Sequence, residues 1–501
     1  MSRNRHQFSL IFRWVGLGVL VGVFLQVCGT RPVWADNMLS PGYLFNSDPT
    51  LHAIHGRLYM FVTHDQTSER FIKGTGWDNM YDYHALSTTN FHTWVDHGSI
   101  FSIHDVSWAK GNAVWDGDAG IEANGRYYAY APFDFSIGVL VSDDPAGPYT
   151  DPLGRPLLAK DAKGVNCVKP PAPSGDQAIS CGLVSPSVIW NDGVPYLVYG
   201  WGGMNIVRLK PNMTELAETP VKVDVPSDFV ESPILTKING KFYLNYSSGG
   251  MYGEGYAKPQ IKYSVADSIY GPFTAGKVLQ DIQINPDGQG YYKKYASSAH
   301  QDIAYYKGQW YFAYHKDSKD GWHRHVCITK LDVRPDGTLG VIDPNTDEGV
   351  VEGPIDFILD AFAPYKREAE EFHERNGADE EPGIRQDFHF KMKNGGFLRF
   401  NRMDFGSGAG GYRIEVSSEN SELRNAKAEF RLDAVDGRII GEASIAFTGG
   451  RTNYVVRSGP VQRVKGIHDL FIIASGEGGD AAGHLFNINW FTFTKNVPVK
   501  K

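Results

Sequence analysis

Ionisable side chains recur at one position of a repeated sequence pattern. Each repeat has an apolar run, a tight turn ending in glycine, and an aromatic run with a tyrosine three residues after the glycine. About eight residues before each glycine stands a polar or ionisable residue. These residues are Asp48, the Asp116-Gly117-Asp118 cluster, Ser185, Glu231 and His300. Carboxylates and imidazoles are the groups that general acid–base chemistry uses.

The elements that must position these residues are pairs of antiparallel strands. A polar residue followed by glycine is typical of a tight hairpin, and the pattern repeats at Gly56, Gly125, Gly193, Gly240 and Gly308. The spacing leaves room for a four-stranded unit each time, which predicts a five-bladed β-propeller. Since the innermost strand of every blade begins at one end of the central channel, we expect the five polar positions to converge there.

The chain is long enough for two domains, and its composition predicts an all-β protein. Residues 36–362 contain the five repeats and form the predicted propeller. From 363 to 501 the composition changes to a charged opening, glycine-rich loops and alternating strands. This second pattern predicts a β-sandwich with a jelly-roll-like arrangement.

The N-terminal stretch 1–35 has the features of a secretory signal peptide. Three arginines precede the apolar run 14–27, and Val33-Trp34-Ala35 offers a cleavage site. Cleavage would remove four arginines and no acidic residue, which changes the formal net charge from −8 to about −12. We therefore expect a secreted or periplasmic protein that binds neither nucleic acid nor, after cleavage, a membrane. The sequence indicates no oligomeric state.

Three cysteines follow the predicted signal peptide. Cys167 and Cys181 flank a proline-rich loop and could form a disulfide in an oxidising compartment, which would leave Cys327 single. The alternative is three buried thiols.

The motifs at the repeat positions resemble those of glycoside hydrolase family 43 over residues 40–350. They are Asp48-Pro49, Ser185-Pro186-Ser187-Val188, Glu231-Ser232-Pro233, Ser298-Ala299-His300-Gln301-Asp302 and His323-Arg324-His325-Val326-Cys327. The resemblance rests on the order and spacing of these motifs. It implies a five-bladed propeller that hydrolyses α-L-arabinofuranosides or β-xylosides of plant cell-wall polysaccharides with inversion.

By this resemblance Asp48 is the general base and Glu231 the general acid, at the separation of about 6.5–9.5 Å that admits a water between them. The family has an aspartate in the third blade that raises the pKa of the acid, and here that position is Ser185. A serine supplies no charge. Either Asp116 or Asp118 of the second blade takes its place, with Asp118 as our candidate, or burial alone raises the pKa, or the enzyme is weak.

Three further residues are candidates for substrate binding in the propeller. Trp115 is either a wall on which a sugar stacks or a residue that packs between blades. His300 resembles the family's channel histidine, which binds a central ion or water; the alternative is a hydrogen-bonded strand histidine. Arg324, in the last of the motifs, is the third candidate.

The C-terminal part resembles a family 6 carbohydrate-binding module. The matching motifs are an opening acidic stretch (367–372), a central turn (448–450) and a closing strand (485–491). The resemblance implies a β-sandwich whose two ends are joined by a structural calcium ion.

By this resemblance the calcium ligands are Glu368, Glu370 and Asn489, all of them oxygen donors. The alternative is a charged strand edge. Tyr454 stands where the family has a sugar-stacking aromatic, and Asn487 stands where it has an amide that binds sugar hydroxyls.

The leading interpretation is a secreted glycosidase that removes arabinofuranosyl or xylosyl units from plant cell-wall polysaccharide or oligosaccharide. Two alternatives remain open. One is a carbohydrate-binding protein on a catalytically weakened propeller, because Ser185 replaces an acid. The other is a different exo-glycosidase, such as a galactan-degrading one, because the sugar is selected by loops that the sequence does not place.

Overall fold

The structure, a computed structural model, describes residues 39, 41–65, 80–111, 113–162, 182–249, 260–281, 300–317, 324–343, 349–351, 354–382 and 388–498. Regular structure in these ranges is nearly all β-strand, with short 3-10 turns at Ile103–Asp105 and Ala369–Glu371. Across the same ranges, no helix has the length and apolar character needed to cross a membrane. The predicted signal peptide and the predicted bridge between Cys167 and Cys181 lie outside the described residues.

Residues 45–331 form five consecutive antiparallel meanders. The first comprises β1 (Phe45–Ile54), β2 (Arg57–Asp65), β3 (Asp82–Thr88) and β4 (Thr93–Ser102). The second comprises β5 (Asp118–Ala123), β6 (Arg126–Phe133) and β7 (Ser136–Ser142). The third comprises β8 (Ser187–Asn191), β9 (Val194–Tyr199), β10 (Met204–Arg208) and β11 (Val221–Val223). The fourth comprises β12 (Phe229–Ile238), β13 (Lys241–Ser248), β14 (Gln260–Ala266) and β15 (Lys277–Asp281). The fifth comprises β16 (Gln301–Tyr306), β17 (Gln309–Asp317) and β18 (Arg324–Leu331).

The first two strands of every meander are joined by the predicted hairpin. At each of the five turns, both the repeat glycine and the residue before it have positive φ, as at Asn239 (49°) and Gly240 (81°). Two consecutive residues of positive φ define a type I′ turn, whose twist matches that of the flanking strands. The prediction of five hairpins at these glycines is therefore confirmed.

Buried apolar side chains hold successive meanders together. Among the described residues, one apolar cluster lies between each meander and the next. A fifth cluster packs Met60 and Val62 of the first meander with Ala313 and Val326 of the fifth. The strands β1, β5, β8, β12 and β16 contact one another in the same cyclic order. Because each cluster needs two meanders to enclose it, the meanders stabilise one another as a set.

The remaining strands are β19 (Asp356–Asp360), β20 (Arg367–Glu368), β21 (Glu374–Pro382), β22 (Phe388–Asp404), β23 (Ala409–Ser418), β24 (Arg424–Leu432), β25 (Ile439–Ile445), β26 (Gly450–Val464), β27 (Ile467–Glu477) and β28 (His484–Thr494). One run of pairing is β22-β27-β24-β25, and another connects β20, β28, β23 and β26. The long β22 pairs with both β27 and β28, and a single apolar core includes residues from both runs.

The two regions are joined through a shared sheet and a buried ionic network. Strand β19 runs parallel to β4 on one side and to β22 on the other. Arg367, 1% exposed, donates from Nη1 to Asp96 Oδ2 at 3.1 Å and from Nη2 to Asp96 O at 2.8 Å. Its Nη1 also pairs with Glu371, and Tyr43 Oη donates to Asp96 Oδ2 at 2.9 Å. The C-terminal region thus places a buried guanidinium against the fourth strand of the first meander.

We expect Arg367→Met to lower the free energy of unfolding by about 3–5 kcal/mol, because Asp96 and Glu371 would remain buried without their cation. Denaturant unfolding of the full chain measures the change. Arg438→Met, at an exposed position, is the matched control and should change the value by no more than about 0.5 kcal/mol. Equal effects of the two substitutions would show that the buried network does not stabilise the junction.

Candidate active site

Three strand entrances share one backbone feature. Asp48 (φ 51°), Ser185 (φ 52°) and Ser232 (φ 58°) all have positive φ, and each precedes a proline. The ladders of β1 and β12 are irregular there, between Ser47 and Thr50 and between Glu231 and Ile234. Positive φ in a residue other than glycine costs free energy and is concentrated at functional sites. A pocket at these entrances is lined by Asp48, Asp116, Ser185, Ser232 and His300, among others.

Asp48 is buried and held in its ionised form. Its Oδ2 accepts hydrogen bonds from Thr63 Oγ1 at 2.8 Å and Ser47 Oγ at 3.2 Å. Its Oδ1 accepts from Arg324 Nη1 at 3.1 Å. Burial raises the pKa of this carboxyl, but the positive charges of Arg324 and His300 prevail and hold it well below its usual value. Asp48 can therefore accept a proton but does not carry one at neutral pH.

Arg324 supports Asp48, and its predicted contact with substrate stays a prediction. Its Nε and Nη2 donate to the two oxygens of Asp65 at 2.9 and 2.7 Å, and its third nitrogen donates to Asp48. All three guanidinium nitrogens thus have carboxylate partners, and the side chain is buried. Because such a bidentate pair fixes a guanidinium in place, Asp65 orients Arg324 toward Asp48.

His300 lies between three carboxyl groups. Its Nδ1 is 3.1 Å from Asp116 Oδ2, and its Nε2 is 3.8 Å from Asp48 Oδ1 and 3.6 Å from Glu231 Oε1. Burial lowers the pKa of His300, but Asp116 and Asp48 raise it well above its usual value. Asp48 Oδ1 and Glu231 Oε1 are at most about 7.4 Å apart, the sum of the two Nε2 distances.

Glu231 is also buried, at 6% exposure, but its pKa shifts in the opposite direction from that of Asp48. Burial raises the pKa of this carboxyl above its usual value; His300 opposes the rise, while Asp116 and Asp48 add to it. Glu231 thus retains a proton to higher pH than Asp48 does. Two neighbouring carboxyl groups with pKa values shifted apart can act as a base and an acid.

His315 is a neighbour of Asp48 that the sequence patterns did not reveal. Asp48 N donates to His315 Nδ1 at 3.1 Å, and this nitrogen is 3.3 Å from Asp48 Oδ1. Burial lowers the pKa of His315, so the imidazole is neutral and suited to accept that hydrogen bond. His315 belongs to β17, whereas the repeat pattern singles out the entrance of the first strand in each meander.

The two candidate substitutes for Ser185 have different surroundings. Asp118 Oδ1 is 2.6 Å from His52 Nε2, and Asp118 Oδ2 accepts from Val188 N at 3.0 Å, so both oxygens of this carboxylate have partners. Asp116 lines the pocket instead. The sequence contained a signal for this choice, since Asp116 stands nine residues before its repeat glycine, as Glu231 does, whereas Asp118 stands seven before it.

Trp115 is half-buried beside Asp116. Its ring lies 4.7 Å from that of Phe135, between centroids, and its carbonyl accepts from Tyr83 Oη. Trp201 forms a β-bridge with Glu231. These contacts place Trp115 and Trp201 next to Asp116 and Glu231.

In the C-terminal region, Tyr454 of β26 and Asn487 of β28 both make polar contacts with neighbouring strands. Tyr454 Oη contacts His389 Nδ1, and His389 Nε2 is 3.1 Å from Glu381 Oε2. Asn487 Nδ2 donates to Ser417 Oγ at 3.0 Å. Asn487 is 5% exposed, so its amide is largely engaged inside the sheet.

The predicted calcium ligands are buried at adjoining places. Glu368 pairs with Trp490 across β20 and β28, next to Asn489, and Glu370 lies in the 3-10 turn that contacts β28. All three are less than 9% exposed. Asn489 Nδ2 donates to Glu415 Oε2 at 2.7 Å, which directs the amide oxygen away from Glu415. Two carboxylates and an amide oxygen suit a hard cation such as calcium.

Comparison with known proteins identifies the class. The profile of "Glycosyl hydrolases family 43" matches residues 42–339, and that of "Carbohydrate binding module (family 6)" matches residues 368–495. The chain belongs to glycosyl hydrolase family 43 and is a glycosidase with a C-terminal family 6 module.

Two of the similar proteins are arabinoxylan arabinofuranohydrolases. An arabinoxylan arabinofuranohydrolase of Bacillus subtilis (strain 168) is 27% identical, over 90% of this chain and 90% of its own length. One of Paenibacillus polymyxa is also 27% identical, over 90% of this chain and 73% of its own length. A crystal structure of a family 43 arabinoxylan arabinofuranohydrolase from Bacillus subtilis with cellotetraose has a TM-score of 0.52 at 23% identity, covering 92% of this chain and 99% of that chain. This structural likeness concerns the fold.

We expect Arg324→Met to move the acidic limb of the pH profile of kcat/KM to higher pH by about 1–3 units, because a neighbouring cation lowers the pKa of a carboxyl by that amount. Arg324→Lys keeps the charge and should move the limb less. Arg334→Met, at a half-exposed arginine paired with Asp332, is the control. Hydrolysis of an aryl glycoside measured across pH tests the assignment, and an unchanged acidic limb in Arg324→Met would contradict it.

Proposed function

We propose that this protein is an inverting glycosidase that releases α-L-arabinofuranosyl or β-xylosyl units from arabinoxylan or arabinan. The observation that carries the proposal is the pair of buried carboxyl groups that both face Nε2 of His300, one held ionised and the other with a raised pKa. The upper bound of about 7.4 Å between their oxygens is compatible with the spacing of about 6.5–9.5 Å that lets water enter between an acid and a base. The names of the similar proteins support the choice of substrate.

In the proposed reaction, Asp48 removes a proton from a water molecule while the water oxygen attacks the anomeric carbon. The glycosidic C–O bond breaks on the opposite face of the sugar, and Glu231 gives its proton to the leaving oxygen. Asp48 ends protonated and Glu231 ionised, and exchange with solvent restores both. Thr63 and Arg324 hold Asp48 during this exchange.

The cyclic order of the meanders supports a finer description of the fold. We propose that they are the blades of a five-bladed β-propeller, with the pocket at the mouth of its channel, and that the C-terminal strands form a β-sandwich. We also propose that residues 1–35 direct secretion, because arginines followed by an apolar run and a small-residue site are typical of signal peptides.

We expect Asp48→Asn and Glu231→Gln each to lower kcat/KM on arabinoxylan by about 10²–10⁴-fold, the contribution typical of a positioned acid or base. An aryl glycoside with a good leaving group needs little protonation, so it should recover activity in Glu231→Gln but not in Asp48→Asn. Asp332→Asn, an exposed acid, is the control.

Proton NMR of the first product tests the stereochemistry of the same reaction. We expect the anomer opposite in configuration to the substrate. A product of retained configuration would mean a double displacement, and release of galactose rather than arabinose or xylose would assign the enzyme to galactan.

For the C-terminal module we propose a structural calcium ion held by Glu368, Glu370 and Asn489. Lys366 Nζ contacts Glu368 Oε1 and supplies a positive charge at the same carboxylate. A ligand that binds only the folded state at 100 times its Kd stabilises that state by about 2.7 kcal/mol. Calcium would supply this stabilisation by joining the first and last strands of the module.

We therefore expect EDTA to lower the melting temperature of the full chain, and added calcium to restore it. Glu370→Gln should reduce this response, whereas Glu374→Gln, at a more exposed glutamate of the same region, should keep it. Differential scanning calorimetry measures the melting temperature. A wild-type midpoint that is the same in EDTA and in calcium would overturn the calcium proposal.

A further inference from the structure

Ser185 carries no charge at a position where family 43 has an aspartate. Ser185 is 4% exposed and lines the pocket, and its Oγ makes no hydrogen bond within the described part of the chain. A hydroxyl group adds no charge that would keep a neighbouring carboxyl protonated. The positive charge of His300 favours the ionised form of Glu231, and a nearby negative charge would act with burial against that effect.

The geometry points to Asp116 as the source of this charge: we propose that Asp116, acting across His300, keeps Glu231 protonated in place of the residue at position 185. This inference deepens the proposed function and rests on Glu231 being the general acid. Asp116 acts through other groups, so it is a positioning residue.

Asp116 is on the far side of the imidazole from Glu231. Its Oδ2 is 3.1 Å from Nδ1, while Glu231 Oε1 is 3.6 Å from Nε2. Because Asp116 is only 9% exposed, water screens this pair weakly. At Glu231, the negative charge of Asp116 opposes part of the effect of the His300 imidazolium. Without Asp116, the positive charge of His300 would lower the pKa of Glu231 further.

The backbone around Asp116 is fixed by packing. Val114 N donates to Met80 O at 2.7 Å, and Trp115 O accepts from Tyr83 Oη. A side chain at Gly117 would place its Cβ 2.4 Å from the Tyr130 carbonyl oxygen. A glycine is therefore required at position 117, because the chain passes closely over β6 there. This close approach fixes the backbone that carries the Asp116 carboxylate.

The other charged groups at the pocket do not replace Asp116. Asp48, from the first meander, faces Nε2 of the same imidazole at 3.8 Å, but Arg324 of β18 neutralises it. His315 of β17 is neutral and faces Asp48. Asp118 is paired with His52. Among the described residues, Asp48 and Asp118 thus each have another basic partner, whereas Asp116 is paired with His300 itself. In agreement, Asp116 contributes more than Asp48 to raising the pKa of Glu231.

The test measures the pKa of Glu231 directly and then through activity. The δ-carboxyl signal of Glu231, in enzyme labelled with ¹³C at glutamate side chains, is assigned by its loss in Glu231→Gln. We expect Asp116→Asn to lower the pKa of Glu231 by about one unit and Asp116→Asn/Ser185→Asp to restore it. Asp118→Asn, the matched control, should leave it unchanged.

The pH profile of kcat/KM separates this inference from the proposed function. In Asp116→Asn the alkaline limb should move to lower pH by the same unit, so that activity above the wild-type limb falls about tenfold, while activity at the optimum falls less. A Glu231 pKa that does not fall in Asp116→Asn would overturn the inference, whatever the activity. A shifted pKa in an enzyme without glycosidase activity would support the electrostatic role and overturn the proposed function.

Discussion

The site depends on a difference in protonation between two carboxyl groups that face one imidazole. Asp48 is ionised, and Glu231 retains its proton to higher pH. His300 Nε2 approaches Asp48 and Glu231 at nearly equal distances, so the imidazole alone cannot distinguish them. The difference comes from what lies behind each group: Arg324, Thr63 and Ser47 stabilise the charge on Asp48, whereas burial disfavours a charge on Glu231. Asp65 supports this asymmetry indirectly, since it reaches Asp48 through Arg324 and through the hydroxyl of Ser47.

The side chains at the pocket extend from backbone conformations that regular β-strands do not adopt. A left-handed residue before proline turns the chain at the entrances of β1 and β12 and in front of β8. Such turns cost free energy, and they are tolerated because five interlocking apolar clusters and five type I′ hairpins hold the strands that follow. In these three meanders, the left-handed residue therefore lies at the pocket, while the apolar clusters hold the strands that follow it.

Local patterns in the sequence predicted the hairpins and the convergence of polar residues, because both depend on neighbouring positions. A type I′ turn needs positive φ at two adjacent residues, and that requirement is visible as a polar residue followed by glycine. The choice between Asp116 and Asp118 was not predicted, since it depends on a two-residue difference in offset. The roles of Arg324 and His315 were also missed. Their contacts with Asp48 span 276 and 267 residues, a separation at which no local pattern operates.

The parallel strand β19 has a mechanical consequence. It is bonded along its length to β4 of the first meander and at its C-terminal end to β22 of the module. If the module grips a polysaccharide while the pocket works on another part of it, tension between the two regions passes through this strand. A pull along the strand loads its hydrogen bonds to each neighbour together, so they resist as a group. The buried guanidinium of Arg367 lies beside the same strand pair and opposes their sliding. The junction is thus arranged to carry such a load in shear, through the hydrogen bonds of β19 and the ion pair of Arg367.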